Sequence, residues 1–163
     1  MSKPKRHSPP SGKRRPKQEL LYDPNVPTPS HAELARTLVD GAQSGTLCTI
    51  SVDPEGYPYG SLVTFAVYEG CPIFLVSELA VHTKNLNACD RASLLVAEAG
   101  PDNPLALGRV TLVGTCRPIV DANREAIKAV FLEKTPQAEF YVDFGDFTFF
   151  RLEVESIRYI GGF

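Results

Sequence analysis

No apolar run in this 163-residue chain approaches the roughly 20 residues that a helix needs to cross a bilayer, so a soluble body is expected. Nothing in it reads as a signal peptide. The four cysteines, Cys48, Cys71, Cys89 and Cys116, are separated by 22, 17 and 26 residues, with no C-x-x-C pair and no histidine beside them. That spacing excludes a zinc site and a disulfide framework, and reads as reduced thiols in a cytoplasm-like compartment. The motifs G-x-S-x-G, H-E-x-x-H and G-x-x-x-x-G-K-[ST] are also missing, which argues against a self-contained hydrolytic triad, a zinc protease and a P-loop.

Acidic residues are missing from the first eighteen positions, which hold seven Lys or Arg. Residues 19 to 163 then carry ten bases against nineteen acids, so an acidic body follows a basic leader. Residues 1–29 are rich in Pro, Lys, Arg and Ser and are expected to be a disordered tail. Such a tail can touch an anionic partner, but nothing in it is aromatic or spaced to read bases, so nucleic acid is not the expected partner. Its prolines and lack of an amphipathic face also set it apart from an ordinary transit peptide, although a plastid address stays open beside the cytoplasm.

One domain is expected over 30–163. Ser30 and Glu33 form a capping-box pattern ahead of Leu34, Leu38 and Ala42, which predicts a helix over 31–43. Strands are expected at 46–53, 59–67, 72–77, 92–97, 109–117 and 147–160. In the first, Leu47, Thr49 and Ser51 alternate with Cys48, Ile50 and Val52. Asp53-Pro-Glu-Gly56 and Tyr68-Glu-Gly-Cys71 read as type I turns between strands. Helices are expected around 80–90 and over 122–134, the latter capped by Asp121 and stopped by Thr135-Pro136. In the last strand the apolar spacing changes from Phe150, Leu152 and Val154 to Ile157, which predicts a bulge near Ser156. Six strands at hairpin spacing with three helices favour a mainly β fold, an antiparallel barrel with helices packed outside it.

The chemistry-bearing residues gather in two places. His82, Thr83, Lys84 and Asn85 offer a ring, a hydroxyl, an ammonium and an amide at a helix start, where free N–H groups and a partial positive charge suit a phosphate. The structural alternative has Thr83 or Asn85 capping the helix and Lys84 in water. Ser61 and Thr64 lie three apart in the second strand and so face opposite sides. The Ser61 face also carries Tyr59, Val63 and Phe65, which suits either a flat ring or plain core packing. Asp143 and Asp146 flank Gly145 with no third ligand spaced to join them, so they read as turn residues and no metal site is expected.

Several stretches together resemble the pyridoxamine-phosphate-oxidase-related split barrels. They are Gly45-Thr-Leu-Cys-Thr49, Gly56-Tyr-Pro-Tyr-Gly-Ser61, Ser77-Glu-Leu-Ala-Val-His-Thr-Lys-Asn-Leu86 and Ala92-Ser-Leu-Leu-Val96. Tyr141-Val-Asp-Phe-Gly-Asp-Phe147 and Arg158-Tyr-Ile-Gly-Gly-Phe163 narrow the resemblance to the branch of bacterial haem-utilisation proteins, CREG-like proteins and plant glutamyl-tRNA-reductase-binding proteins. The resemblance implies a six-stranded split barrel that pairs into a homodimer, with FMN in the groove between subunits. It places the FMN phosphate at Ser77, His82, Thr83, Lys84 and Asn85, and the flavin along Ser61, Val63 and Thr64. It thereby implies a flavin-dependent oxidoreductase of unidentified substrate. The chain departs from flavin-binding oxidases where Gly60 replaces a basic residue and Ala80-Val-His82 replaces a Ser-x-Lys grip. Each charge-assisted bond lost there is worth about 1.5 to 3 kcal/mol. The alternative within the same branch is a haem-binding or non-catalytic regulatory protein, for which His82 is the candidate axial ligand.

Overall fold

The computed structural model describes residues 27–100, 103–120 and 123–161. The leader up to residue 26, the Asp121 cap and the last two residues of the Arg158–Phe163 motif therefore lie outside the described residues. Helix α1 (His31–Gly41) opens on the expected capping box: Ser30 Oγ accepts the Glu33 N–H at 3.2 Å, and Glu33 Oε2 accepts the Ser30 N–H at 2.7 Å. These bonds to Ser30 hold the Glu33 carboxyl below its ordinary pKa. Helix α2 spans Val81–Ala88, and α3 spans Arg124–Lys134.

Among the described residues seven strands, not six, form one antiparallel sheet. In chain order they are β1 (Ser44–Val52), β2 (Glu55–Thr64), β3 (Ala66–Tyr68), β4 (Cys71–Ser77), β5 (Arg91–Ala97), β6 (Gly108–Pro118) and β7 (Phe147–Gly161). The spatial order is β2-β1-β5-β6-β7-β4-β3. The extra strand arises because the single stretch expected at 59–67 breaks at Phe65. Before the break it pairs with β1 and after it with β4, and the Phe65 ring is fully buried at the corner. β2 also approaches β4, which curls the sheet toward closure as in a split barrel.

Both expected turns form, with different geometry. Val52 pairs with Glu55, so the first turn is shifted by one residue, with Asp53 and Pro54 at its centre joined by a cis peptide bond. In the second, Glu69 and Gly70 both have positive φ, at 49° and 78°. That is the type I′ pattern, whose twist matches the flanking strands better than the expected type I. The predicted bulge is present: Val113 pairs with Ser156 and Gly114 with Val154, leaving Glu155 unopposed.

Two apolar cores result. The inner face of the curled sheet contributes Leu47, Phe74, Leu94, Val110, Leu152 and neighbours, closed at one side by Ala35 and Val39 of α1. A second cluster seats α3 on β3, β4 and β7, with Phe131 edge-on to Phe149 at 5.6 Å. Cys116 is buried in the first core and its thiol is pushed up to about 12 by that burial, which makes it inert at neutral pH. All four cysteines are free.

At Gly114 an added Cβ would sit 1.9 Å from the Glu153 carbonyl oxygen, a backbone atom that the ladder holds in place. Gly114→Ala is expected to destabilise the fold by about 3 kcal/mol or more. Gly41→Ala, which meets nothing within 4 Å, is expected to be close to neutral. Equal denaturant midpoints for the two variants would show that the bulge is not so constrained.

Candidate functional site

The α2 mouth is built from the ends of β1 and β4 and the first turn of α2. Asn85 is fully buried, and its Nδ2 donates to Thr49 Oγ1 at 2.9 Å while its Oδ1 accepts the Val52 N–H at 3.1 Å. Thr49 in turn reaches the Tyr59 carbonyl at 3.5 Å, so one amide links α2 to β1 and β2. This explains why β1 buries Leu47, Thr49 and Ser51, the more polar of its two faces. Thr83 is also buried and donates to the Ser77 carbonyl at 2.7 Å. Ser77 Oγ donates to Asp146 Oδ2 at 2.9 Å and accepts the Leu79 N–H at 3.2 Å. The Glu78 N–H bonds the Asp146 carbonyl at 2.8 Å, which pins the 141–147 loop against the mouth.

The sequence alternative that Thr83 or Asn85 caps α2 is not what forms, because Ala80 occupies the cap with no side-chain bond. Lys84 is exposed. His82 is half-buried, and burial lowers its pKa, so at neutral pH the imidazole is uncharged. Along β2, Ser61 and Val63 stand opposite Leu47 and Gly45 on the inner face, where Val63 belongs to the core. Thr64 faces outward and is exposed. Ser77, His82, Thr83, Lys84 and Asn85 are thus brought to one mouth, whereas Ser61, Val63 and Thr64 divide between the two faces of β2.

Chemically, this mouth does not fit the phosphate grip that FMN needs. The Ser77 hydroxyl, the Thr83 hydroxyl and the Asn85 amide are spent on internal bonds, and the Asp146 carboxylate stands where an incoming phosphate would be repelled. Lys84 and the short helix start are left as the cationic features. Asp146 is the residue that sequence reasoning placed in a turn without seeing its contact with Ser77, 69 residues away. Among the described residues no group of three or more His, Cys, Asp or Glu is placed to hold a metal ion.

A second feature lies elsewhere. A cleft of about 1070 Å³ opens between α1, the β3–β4 hairpin and the far half of β7, and none of the eight predicted site residues lines it. It exists because β4 pairs with β7 only from Phe147 to Arg151, so beyond Arg151 that side of β7 carries no strand. The α1 face at its rim carries His31 and Arg36, and β7 contributes Ile157, Arg158 and Tyr159. The His31 ring leans on that of Tyr159, with centroids 5.8 Å apart and a tilt of 42°. The sequence signal for this cleft was the same change of apolar spacing that predicted the bulge, since the bulge sets the facing of Ile157 and Tyr159.

The described fold meets a family model, CREG β-barrel, over residues 27–163. The chain belongs to the CREG β-barrel family. It is 44% identical over 134 residues to the chloroplastic non-canonical heme oxygenase HOZ of Arabidopsis thaliana, a match that takes in 82% of this chain and 41% of that protein. It is similar to a solved heme binding protein from Mycobacterium smegmatis, with a TM-score of 0.78 and 35% identity over 85% of this chain and 57% of that one. A putative pyridoxamine 5'-phosphate oxidase from Listeria innocua shares the fold, with a TM-score of 0.62 at 14% identity, over 81% of this chain and 98% of that one. The chain spans about two fifths of the plant relative and just over half of the mycobacterial one.

Removing the Asn85 amide leaves the Val52 N–H and the Thr49 hydroxyl without their buried partner. Asn85→Ala is expected to cost about 3 kcal/mol in chemical denaturation. The exposed neighbour Lys84→Ala is expected to change stability by less than about 0.5 kcal/mol. An Asn85 variant as stable as the wild type would remove this amide from its linking role.

Proposed function

We propose that this chain is a haem-binding split-barrel protein acting as a homodimer, and that it is not a flavin oxidase. The carrying observation is the α2 mouth, where the Ser77 and Thr83 hydroxyls and the Asn85 amide, three of the groups expected to grip a flavin phosphate, already have internal partners beside Asp146. The printed names of the plant and mycobacterial relatives, one a heme oxygenase and one a heme binding protein, support the same reading. The oxygenase activity named for the plant relative belongs to a protein of which this chain covers 41%, so binding, and not cleavage, is the activity proposed here.

The homodimer is supported by the outer face of the sheet. Leu62 and Leu95 both pair with Thr46, so they stand in one row across β2, β1 and β5, with Val113 in the next row on β6 opposite Ser93. Leu62 is 81% exposed, and Leu95 and Val113 are also open to solvent, an apolar band on the wrong side of a lone barrel. Free thiols and the chloroplastic relative support a reducing place of work, cytoplasm or plastid. No helix among the described residues is long and apolar enough to cross a membrane.

Two measurements test this. Titrating the full chain separately with hemin and with FMN is expected to give a saturable Soret shift with hemin and unquenched fluorescence with FMN. Protein that purifies yellow, quenches FMN stoichiometrically and leaves the hemin spectrum unchanged would return the flavin reading. For assembly, light scattering is expected to give a dimer for the wild type and a monomer for Leu62→Glu combined with Leu95→Glu. A monomeric wild type at tens of micromolar would end the dimer proposal.

A further inference from the structure

The far half of β7 is an open strand edge beside an apolar cleft. On one side β7 pairs with β6 as far as Gly161, while on the other β4 stops opposite Arg151, so among the described residues nothing pairs with that edge from Leu152 to Gly161. An edge of this length leaves about five residues with outward N–H and C=O groups, a template for one more strand. The cleft adjoins it on the inner face of the sheet, lined by Val154 and Ile157 of β7, Ala35 and Val39 of α1, and Val67 and Pro72 of the hairpin. Ile157 opposes the inner residue Leu112, yet is 59% exposed. An inward isoleucine left open beside an unpaired edge marks a place where a strand is missing.

Charge limits what can fill it. At the hairpin end of the edge, Glu69, Glu153 and Glu155 are all exposed, and Arg151 alone pairs with the first two. A second copy of β7 laid on this edge brings those acids toward their own counterparts, which disfavours it. The chain just ahead of α1 has the opposite charge and the right place. Its last residues lead into His31, whose ring rests on Tyr159 near the end of β7. Between Pro16 and Pro24, the stretch Lys17–Asp23 is free of proline, and Leu20 and Tyr22 alternate there with Glu19, Leu21 and Asp23, the period of a strand with one apolar face. Apart from Met1 and Val26, Leu20, Leu21 and Tyr22 are the non-proline apolar residues of the first 26. Eight residues separate Tyr22 from Ser30 and span up to about 26 Å, whereas Val154 lies only about 17 Å along β7 from Tyr159. A segment running parallel to β7 therefore reaches Val154 and carries Lys13, Arg14, Arg15 and Lys17 on to the acidic hairpin end.

We infer that Lys17–Asp23 adds as a strand to the open edge of β7 in its own molecule, with Leu20 and Tyr22 seated in the cleft and the basic residues before them against Glu69, Glu153 and Glu155. The docking does not depend on the haem reading, since it uses neither the α2 mouth nor a cofactor.

Two measurements on the full chain test it. In hydrogen exchange followed by mass spectrometry, the amides of 154–160 are expected to exchange about tenfold or more slower in the wild type than in Leu20→Asp combined with Tyr22→Asp, with equal exchange at β1 as the control for folding. Equal exchange of 154–160 in the two proteins overturns the docking. In the second measurement, a photoreactive benzophenone side chain in place of Leu20 is expected to link to β7 or α1 at the mass of a single chain. Links between chains, the result that a second copy on this edge gives, overturn it, as do links to other elements or none.

Discussion

A single buried amide constrains more of this molecule than any other polar group. Asn85 sits in a short helix with no side-chain cap, where local propensity contributes little, so α2 is held mainly by what it packs on and bonds to. Its two bonds, to the Thr49 hydroxyl and the Val52 N–H, fix the helix against β1 at a set height and rotation. That rotation buries Thr83 and Leu86 together with Asn85, leaves His82 at the margin and turns Lys84 to solvent. It also decides which face of β1 is internal. An inner face holding Thr49 is tolerable because a partner amide arrives from outside the sheet, whereas the buried Ser51 hydroxyl is left without a partner.

The same constraint has a chemical consequence. Groups that satisfy each other inside a fold are withdrawn from ligand binding, because taking them back means leaving a buried donor or acceptor unpaired at about 1–3 kcal/mol each. At the α2 mouth this applies to Thr83 and Asn85 directly. Ser77 is committed in a second way, by its bond to Asp146 from a loop distant in sequence. What looks in sequence like four consecutive ligand groups is, in space, mostly a joint between a helix and a sheet.

Much of the fold was legible because it depends on local patterns. The capping box at Ser30, the stop at Thr135-Pro136 and the bulge spacing after Val154 each leave their mark within a few residues. Less legible was the break at Phe65, because both halves of that stretch have strand character and only their different partners, β1 and β4, separate them. The turn geometries were missed for a related reason. Tyr68-Glu-Gly-Cys71 is compatible with type I chemistry, and it is the twist of the strands joined there that selects positive φ at both central residues. For the site, sequence could gather Ser77 to Asn85 but could not show that Thr49 and Asp146 had already claimed them.

The two ends of the structure divide the chemistry between them, and the division follows from the sheet's incomplete closure. At the α2 end, strands and helix meet closely enough for polar groups to satisfy one another, and the acid among them disfavours an anion. At the α1 end, β7 outruns β4 and the bulge at Glu155 sets the facing of Ile157 and Tyr159 toward a space that α1 only partly fills. Apolar surface left open there has no internal partner to satisfy it, and the exposed Arg36 on α1 keeps that surface from becoming a purely hydrophobic liability.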